Sequence, residues 1–351
     1  MDFNDLVNRK SEWLRGDGPR SDIVMSTRVR LARNLDEYPF FGWADNEHRK
    51  KVLEKLISVF NDNELLKDTV LIRIKDISEI DREFLVERHL MSQEHAMDVQ
   101  QKGLIVGDGE KLSIMINEED HLRMQILQSG LNISEAWKII DALDTSLGEV
   151  LTYAYSNRFG YLTACPTNTG TGLRASVMLH LPALAMTGQI EKVYEAISKL
   201  GLTIRGFYGE GSEASGNFFQ ISNQVALGHS EVDILDNLER VITKTITREE
   251  HTRDYLMDKK KRETQDGIFR SYGTLKSARI ITSRETIKLL SAVRLGLNLG
   301  LISDIDVVSL NDILLLMHPA HLQKSNSRQL SSHERDMKRA DMIREKIGGG
   351  N

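Results

Sequence analysis

Arginines and glutamates in this chain stand where several side chains could converge on one charged ligand. Ser26-Thr-Arg-Val-Arg30 is extended in pattern, so Arg28 and Arg30 fall on one face because strand side chains alternate. Arg123 follows the acidic strand end Asn117-Glu-Glu-Asp-His-Leu, and Arg205 lies in the apolar run Leu202-Thr-Ile-Arg-Gly. Arg174 is placed in the first turn of a helix expected over 174–186, after two glycines. Guanidinium forks match phosphate oxygens and can neutralise a triphosphate without a phosphate loop. One such arginine is ordinarily a surface ion pair; several at element ends within one domain are harder to dismiss. Two carboxylate positions complement them. Glu118-Glu-Asp120 ends a strand, and Glu210 sits between glycines in Tyr208-Gly-Glu-Gly-Ser-Glu213, at a loop tip. Each taken alone is commonly a solvated loop acid.

The usual phosphotransfer signatures are missing. There is no G-x-x-x-x-G-K-S/T loop and no H-R-D or D-F-G set. No His/Glu pair is spaced like a metalloprotease site, and no metal site is expected. Gly170-Thr-Gly-Leu-Arg-Ala175 imitates a dinucleotide fingerprint, but the next strand lacks the acidic end that such a site needs. A helix N-terminus at that point could still hold an anion.

The elements that must position these residues are legible in outline. Strand patterns cover 70–74, 111–117, 203–208 and 217–222, and a hairpin is expected over 151–165. Helical spacing covers 47–60, 78–97 and 191–200. A charged amphipathic pattern runs over 231–264, followed by helical segments near 266–277, 284–299, 308–317 and 329–346. Residues 21–230 therefore suggest an α/β unit with a mainly antiparallel sheet, with a helical remainder, and residues 1–20 a polar leader. Net charge is −5 and there is one cysteine, Cys165, which excludes intrachain disulfides and gives no overall basic field for nucleic acid. No apolar run reaches the roughly 18 residues of a membrane span and no signal peptide is evident, so a cytoplasmic protein with no membrane partner is expected.

Five blocks, in order, are similar to those of the phosphagen (guanidino) kinases, the creatine and arginine kinases. They are Ser26–Arg30, Asn117–Arg123, Cys165-Pro-Thr-Asn-Thr-Gly-Thr-Gly172, Arg174-Ala-Ser-Val177 and Arg205-Gly-Phe-Tyr-Gly-Glu210. The resemblance implies an α+β fold: a catalytic domain over 21–255, with a mainly antiparallel sheet flanked by helices, and an all-helical domain over 256–351. It departs from the small-substrate members in two ways. The first block follows only 25 residues, too few for their N-terminal helical domain of on the order of 100 residues. Tyr208 stands where they tend to carry another arginine. The helical C-terminal part instead resembles the bacterial branch that phosphorylates arginine on proteins. Arg335-Asp-Met-Lys-Arg-Ala340 fits that branch's R-D-x-x-R-A motif for phosphoarginine, which places Arg335, Asp336, Arg339 and Ala340 in such a pocket.

An arginine side chain is protonated at any biological pH and must lose a proton as an N–P bond forms. Two carboxylates can hold the planar cation and take that proton. By resemblance these are Glu119 and Glu210, assisted by Cys165, with Glu118 and His121 in support. The resemblance assigns ATP, with Mg²⁺, to the segments Ser26, Thr27, Arg28, Val29 and Arg30; Arg174, Ala175, Ser176, Val177 and Met178; and Arg205, Gly206, Phe207, Tyr208, Gly209 and Glu210, together with His89 and Arg123. It implies arginine-bearing protein substrates, marking for Clp-type proteolysis, a zinc-binding activator, a stress repressor and a homodimer. A non-catalytic phosphoarginine-binding adaptor and a small-molecule arginine kinase are the alternatives.

Overall fold

The computed structural model describes residues 11–206, 215–326 and 328–348. Among the described residues ten strands occur: β1 (Val24–Arg33), β2 (Val70–Arg73), β3 (Gly103–Val106), β4 (Leu112–Ile116), β5 (Leu122–Ser129), β6 (Tyr155–Ser156), β7 (Gly160–Tyr161), β8 (Leu173–His180), β9 (Leu202–Gly206) and β10 (Phe218–Asn223). β6 and β7 form a small hairpin. The others build one antiparallel sheet in the order β2-β3-β4-β5-β1-β8-β10-β9.

Strand alternation divides this sheet chemically. Val29, Leu31, Met124, Ile126, Ala175, Val177, Leu179 and Ile221 enter the main hydrophobic core on one face. Helices α1 (Asn46–Asn61), α2 (Glu79–Glu87), α3 (Gln93–Met97), α4 (Ile133–Gly148), α5 (Pro182–Met186), α6 (Ile190–Ser198) and α7 (Glu231–Lys259) follow in the chain. Of these, α1, α4, α5, α6 and α7 contribute apolar side chains to that core. On the opposite face, register aligns Arg30 with Gln125 and Arg174, Arg28 with Ser176, and Gln220 with Arg205. The middle of the sheet is thus oily on one side and polar and cationic on the other.

The remaining helices are α8 (Lys261–Ser277), α9 (Ser283–Asn298), α10 (Val307–Leu316), α11 (Pro319–Lys324) and α12 (Ser332–Ile347), and no described residue after Asn223 lies in a strand. Their apolar faces form a second core with Trp13, Met25, Leu127, Met178 and Phe218. One end of the polar sheet face is therefore roofed by the helical part. Residue 255 lies inside α7, and the first helical interruption comes at Lys260, whose φ is −133°. Among the described residues no helix is long and apolar enough to cross a membrane.

Several elements differ from the sequence-based expectation. The segment 174–186 is not one helix: it is the central strand β8 followed by the short α5. Leu-Arg-Ala-Ser-Val-Met-Leu-His is apolar enough to suit either state, and pairing on both sides, with β1 and β10, selects the strand. Gly170 and Gly172 accordingly open no helix. Gly172 has φ 68°, and a Cβ there would stand 2.4 Å from Arg33 Nη1 and 2.6 Å from the Ala32 carbonyl oxygen, so the glycine permits close approach to β1. The pattern 231–264 is likewise two helices, α7 and the start of α8. Strands β3 and β5 and helices α4 and α11 were not anticipated. Residues 11–20 are not a loose leader. Trp13 and Leu14 are buried, and Asn311 Nδ2 donates to the Leu14 carbonyl at 2.8 Å.

Candidate functional site

The cationic sheet face carries an unusual charge pattern. Arg28 and Arg30 project side by side from β1, with Arg174 opposite Arg30 on β8, and no described carboxylate makes an ion pair with any of these three. The Nε–H groups of Arg30 and Arg174 are buried and lack hydrogen-bond partners. Burial first, and then the charges of Arg123 and Arg174, pull Arg28 down to about 10. Arg30 is held well below the ordinary arginine range by burial and by Arg28, Arg123 and Arg174. Arg174 is lowered by burial, then by Arg205 and Arg123. Gathered, desolvated like charges are unfavourable unless an anion joins them.

Beside this cluster Ser26, Arg28, His89, Leu127, Ser176, Met178 and Gln220 line one pocket. His89 follows α2 with φ 62° and lies against Trp13, with ring centroids 5.2 Å apart. Its carbonyl accepts from Gln125 Nε2 at 2.6 Å. Burial, and then Arg28, lower the imidazole to about 3, so it is neutral at physiological pH. A neutral ring, an indole behind it and flanking thioether and hydroxyl groups suit a flat heteroaromatic base next to the cationic cluster.

Alternation divides the side chains of the residues assigned to nucleotide binding between the two faces. Val29, Ala175 and Val177 belong to the core on the far face. Thr27 Oγ1 donates to the Gly130 carbonyl at 2.7 Å and accepts from Asn132 N, bracing the start of α4. Ser26, Arg28, Arg30, Arg174, Ser176 and Met178 are the members of those runs on the polar face. Gly206 ends β9. Phe207, Tyr208, Gly209 and Glu210 lie outside the described residues. Beyond them, Asn217 Nδ2 donates to Ser291 Oγ of α9 at 3.2 Å, and a Cβ on Gly216 would meet Ile287 Cγ2 at 2.4 Å.

The acidic turn separates its carboxylates by role. Glu118 is buried and takes Arg123 Nη1 on both oxygens at 2.7 Å, with Ser92 Oγ donating at 2.6 Å. Burial opposes its ionisation, but Arg123 and these hydrogen bonds outweigh burial and hold the carboxyl at about 2. Asp120 accepts from Asn34 Nδ2 at 2.6 Å and from Ala164 N at 2.7 Å, tying the turn to the Cys165 segment. His121 Nδ1 accepts from Leu35 N, so its Nε2–H donates to the Pro39 carbonyl at 3.0 Å. Glu119 is the exposed member of the run. Partial desolvation, then repulsion from Asp120 and Glu118, raise its carboxyl above the ordinary glutamate range. Cys165 is half-buried, with Sγ 3.0 Å from Thr167 Oγ1 and within electrostatic reach of Arg174.

A support absent from the sequence reading lies beneath the site. Arg33 is buried, gives Asp144 two Nε contacts at 3.1 Å and one from Nη2 at 2.6 Å, and donates from Nη1 to the carbonyls of Ala32 and Thr171. Its guanidinium lies 3.5 Å from the Tyr161 ring centroid. The pair fastens the Cys165–Gly172 loop to β1 and α4. Asp144→Ala should lower the unfolding free energy by about 3–5 kcal/mol, because it strands a buried cation. Urea denaturation checks this; a loss below about 1 kcal/mol would show that the loop is held by other contacts. Arg33 follows the β1 arginines directly, but nothing in its spacing separates a structural guanidinium from a ligand-binding one.

In α12, Arg335 Nη1 donates to the Leu330 carbonyl at 2.8 Å. Arg339 is 1% exposed; it donates to the carbonyls of Met317 and Ile281 and contacts Asp336 Oδ1 at 2.5 Å. Ala340 is buried in the second core, so its methyl group packs inward. These residues stand apart from the sheet face as a separate cluster in the helical part.

The chain is similar to several known proteins. The family model "ATP:guanido phosphotransferase, C-terminal catalytic domain" matches residues 51–252. The model "Protein-arginine kinase McsB C-terminal domain" matches 261–350. A protein-arginine kinase of Halothermothrix orenii is 47% identical over 348 residues, covering 99% of both chains. One of Bacillus subtilis is 43% identical over 339 residues, covering 96% of this chain and 93% of that protein. Among solved structures, the duplicated taurocyamine kinase of Schistosoma mansoni with bound transition-state-analogue components aligns with TM-score 0.60 and 26% identity. That alignment covers 73% of this chain and 35% of that one. Lombricine kinase aligns with TM-score 0.59 over 71% of this chain and 76% of its own; at 23% identity it supports the fold alone.

Proposed function

Because the chain belongs to the ATP:guanido phosphotransferase family, and carries the C-terminal domain of its protein-arginine kinases, we propose that it transfers the γ-phosphoryl group of ATP to arginine side chains of proteins. The observation that carries the reading is the cluster of Arg28, Arg30 and Arg174, without described ion-pair partners, with Arg30 within electrostatic reach of Glu118, the neighbour of Glu119.

In this reading the adenine enters beside His89 and Met178, and its phosphates run along the strands over Arg28, Arg30, Arg174 and Arg205. Arg123, fixed by Glu118, completes the clamp. In this reading Mg²⁺ would accompany the nucleotide, as it commonly does in phosphoryl transfer. It would neutralise phosphate charge from the phosphate side. Glu119 accepts hydrogen bonds from the substrate guanidinium and takes its proton as the N–P bond forms, and its raised carboxyl suits that task. Glu210 is assigned as its counterpart, and Cys165 as an assisting neighbour. Alignment and charge stabilisation supply most of the acceleration in phosphoryl transfer.

The α12 motif is assigned to phosphoarginine recognition, with Arg335 toward the phosphate and Asp336 toward the guanidine. Arg339 serves as the post that holds Asp336. On the same family reading, the expected partners are a zinc-binding activator, a stress repressor and a Clp-type unfoldase, and the assembly is a cytoplasmic homodimer.

The test is incubation with γ-labelled ATP and either an unfolded protein or free arginine. Acid-labile label on the protein is the expected result, since phosphoramidates hydrolyse in acid and phosphoserine esters do not. Label on free arginine alone, or phosphoarginine binding with no transfer, would sink the reading.

A further inference from the structure

Two large apolar side chains stand out at the surface. Trp43 is 90% exposed and Met97 80% exposed, the highest values for large hydrophobics among the described residues. They are distant in sequence, yet one hydrogen-bonded unit carries both. Trp43 lies in a tight turn in which Trp43 N and Ala44 N both donate to the Phe40 carbonyl. The neighbouring Phe41 ring packs 4.0 Å from the Arg49 guanidinium, and Arg49 pairs with Asp98, next to Met97. Arg49 also receives Asn117 Nδ2 on its carbonyl at 2.8 Å, and Asn117 reaches the Gln101 carbonyl as well. On the other side of the turn His121 donates to Pro39, and Phe40 meets the His121 ring edge-on. The unit therefore grips both ends of the turn whose exposed residue is Glu119.

Exposed apolar groups gathered on one unit and rimmed by polar residues mark a contact surface, whereas scattered single ones do not. A small guanidino compound bound at Glu119 would leave them bare. A polypeptide would not, because residues flanking the target arginine must pass over the rim. The charge there is selective too. Glu94, exposed on α3, acts electrostatically on Glu119, and Asp45 and Glu47 are exposed beside Trp43. Such a rim repels acidic neighbours and accepts apolar ones.

We propose that Trp43 and Met97 form a docking rim for apolar side chains flanking the target arginine in an extended polypeptide substrate. The proposal rests on the protein-arginine kinase reading and adds a sequence preference to it.

Two synthetic peptides with a single arginine test it, one flanked by leucine and phenylalanine and the other by glycine and serine. The wild-type protein should show a KM roughly tenfold lower for the apolar-flanked peptide, the scale of discrimination that an apolar contact supplies. In the double variant Trp43→Ala/Met97→Ala the two KM values should converge, with kcat at saturation and the KM for ATP unchanged. A preference that survives the double substitution, or a wild-type protein indifferent to the flanks, overturns the rim while leaving arginine phosphorylation standing. Absence of acid-labile label on both peptides with the wild-type protein removes the phosphotransfer reading and the rim together.

Discussion

Arg30→Met should lower kcat/KM for ATP by roughly 10³-fold, the scale of a transition-state arginine, while leaving the protein at least as stable as before. The combination is the informative part. Arg30 sits between Arg28 and Arg174 on adjacent strands, its Nε–H is buried without a partner, and no described carboxylate makes an ion pair with it. Without ligand its charge is therefore repelled by Arg28, Arg123 and Arg174 and is poorly solvated. Methionine keeps much of the apolar stem and removes both penalties, a change expected to add about 0.5–2 kcal/mol. With ATP bound the same guanidinium meets phosphate, and its loss is uncompensated. Arg30→Lys should recover only part of the activity, because a point charge does not reproduce the fork. Thermal melts with and without nucleotide, beside steady-state kinetics, measure both halves. A variant that loses activity and several degrees of melting temperature would make Arg30 a structural residue instead.

Glu119→Gln should reduce turnover roughly 10²- to 10⁴-fold at saturating ATP and protein substrate, the range attributed to a positioned general base. The KM for ATP should stay within about twofold, since the phosphate clamp does not include this residue. Its carboxyl is raised by partial desolvation and by Asp120 and Glu118. The wild-type rate should therefore fall as pH drops through that raised value, earlier than for an ordinary glutamate, because protonation removes the base. The sign for stability is opposite to that of a salt-bridged acid. A raised carboxyl means the folded state disfavours the charge, so glutamine leaves stability unchanged or improves it near neutral pH. Glu118→Gln would behave differently, since Glu118 is buried on Arg123 and held at about 2. Unaltered turnover in Glu119→Gln would move the base elsewhere.

The helical part is also a wall of the site. Leu127 and Met178 line the pocket beside the arginine cluster and belong to the second core together with Ile287 and Leu290 of α9. On the flank of the helical part, α11 is tied to α2, whose end leads into His89: the Ala320 and His321 N–H groups donate to the Glu87 carboxylate. Through Glu87, α11 thus packs against the segment that leads into His89, a lining residue of that pocket.

Much of this was legible in the chain alone, and for a definite reason. Phosphate and guanidinium chemistry needs particular residue types, so Ser26–Arg30, Asn117–Arg123 and Cys165–Gly172 are recognisable blocks wherever they fold. Period-two alternation likewise places Arg28 and Arg30 on one face without any knowledge of the neighbours. Tertiary structure decided what alternation cannot. It made 173–180 a strand, because an apolar run acquires its state from its pairing partners. It set Glu118 apart from Glu119, adjacent residues of the same type, by giving one of them Arg123 and leaving the other exposed. It turned Arg33 and Arg339 into buried posts, although in sequence they are indistinguishable from the ligand-facing arginines. Residue type is a local property, whereas burial, partner and charge state are set by contacts between residues far apart in the chain, and those exist only once the sheet and helices have closed.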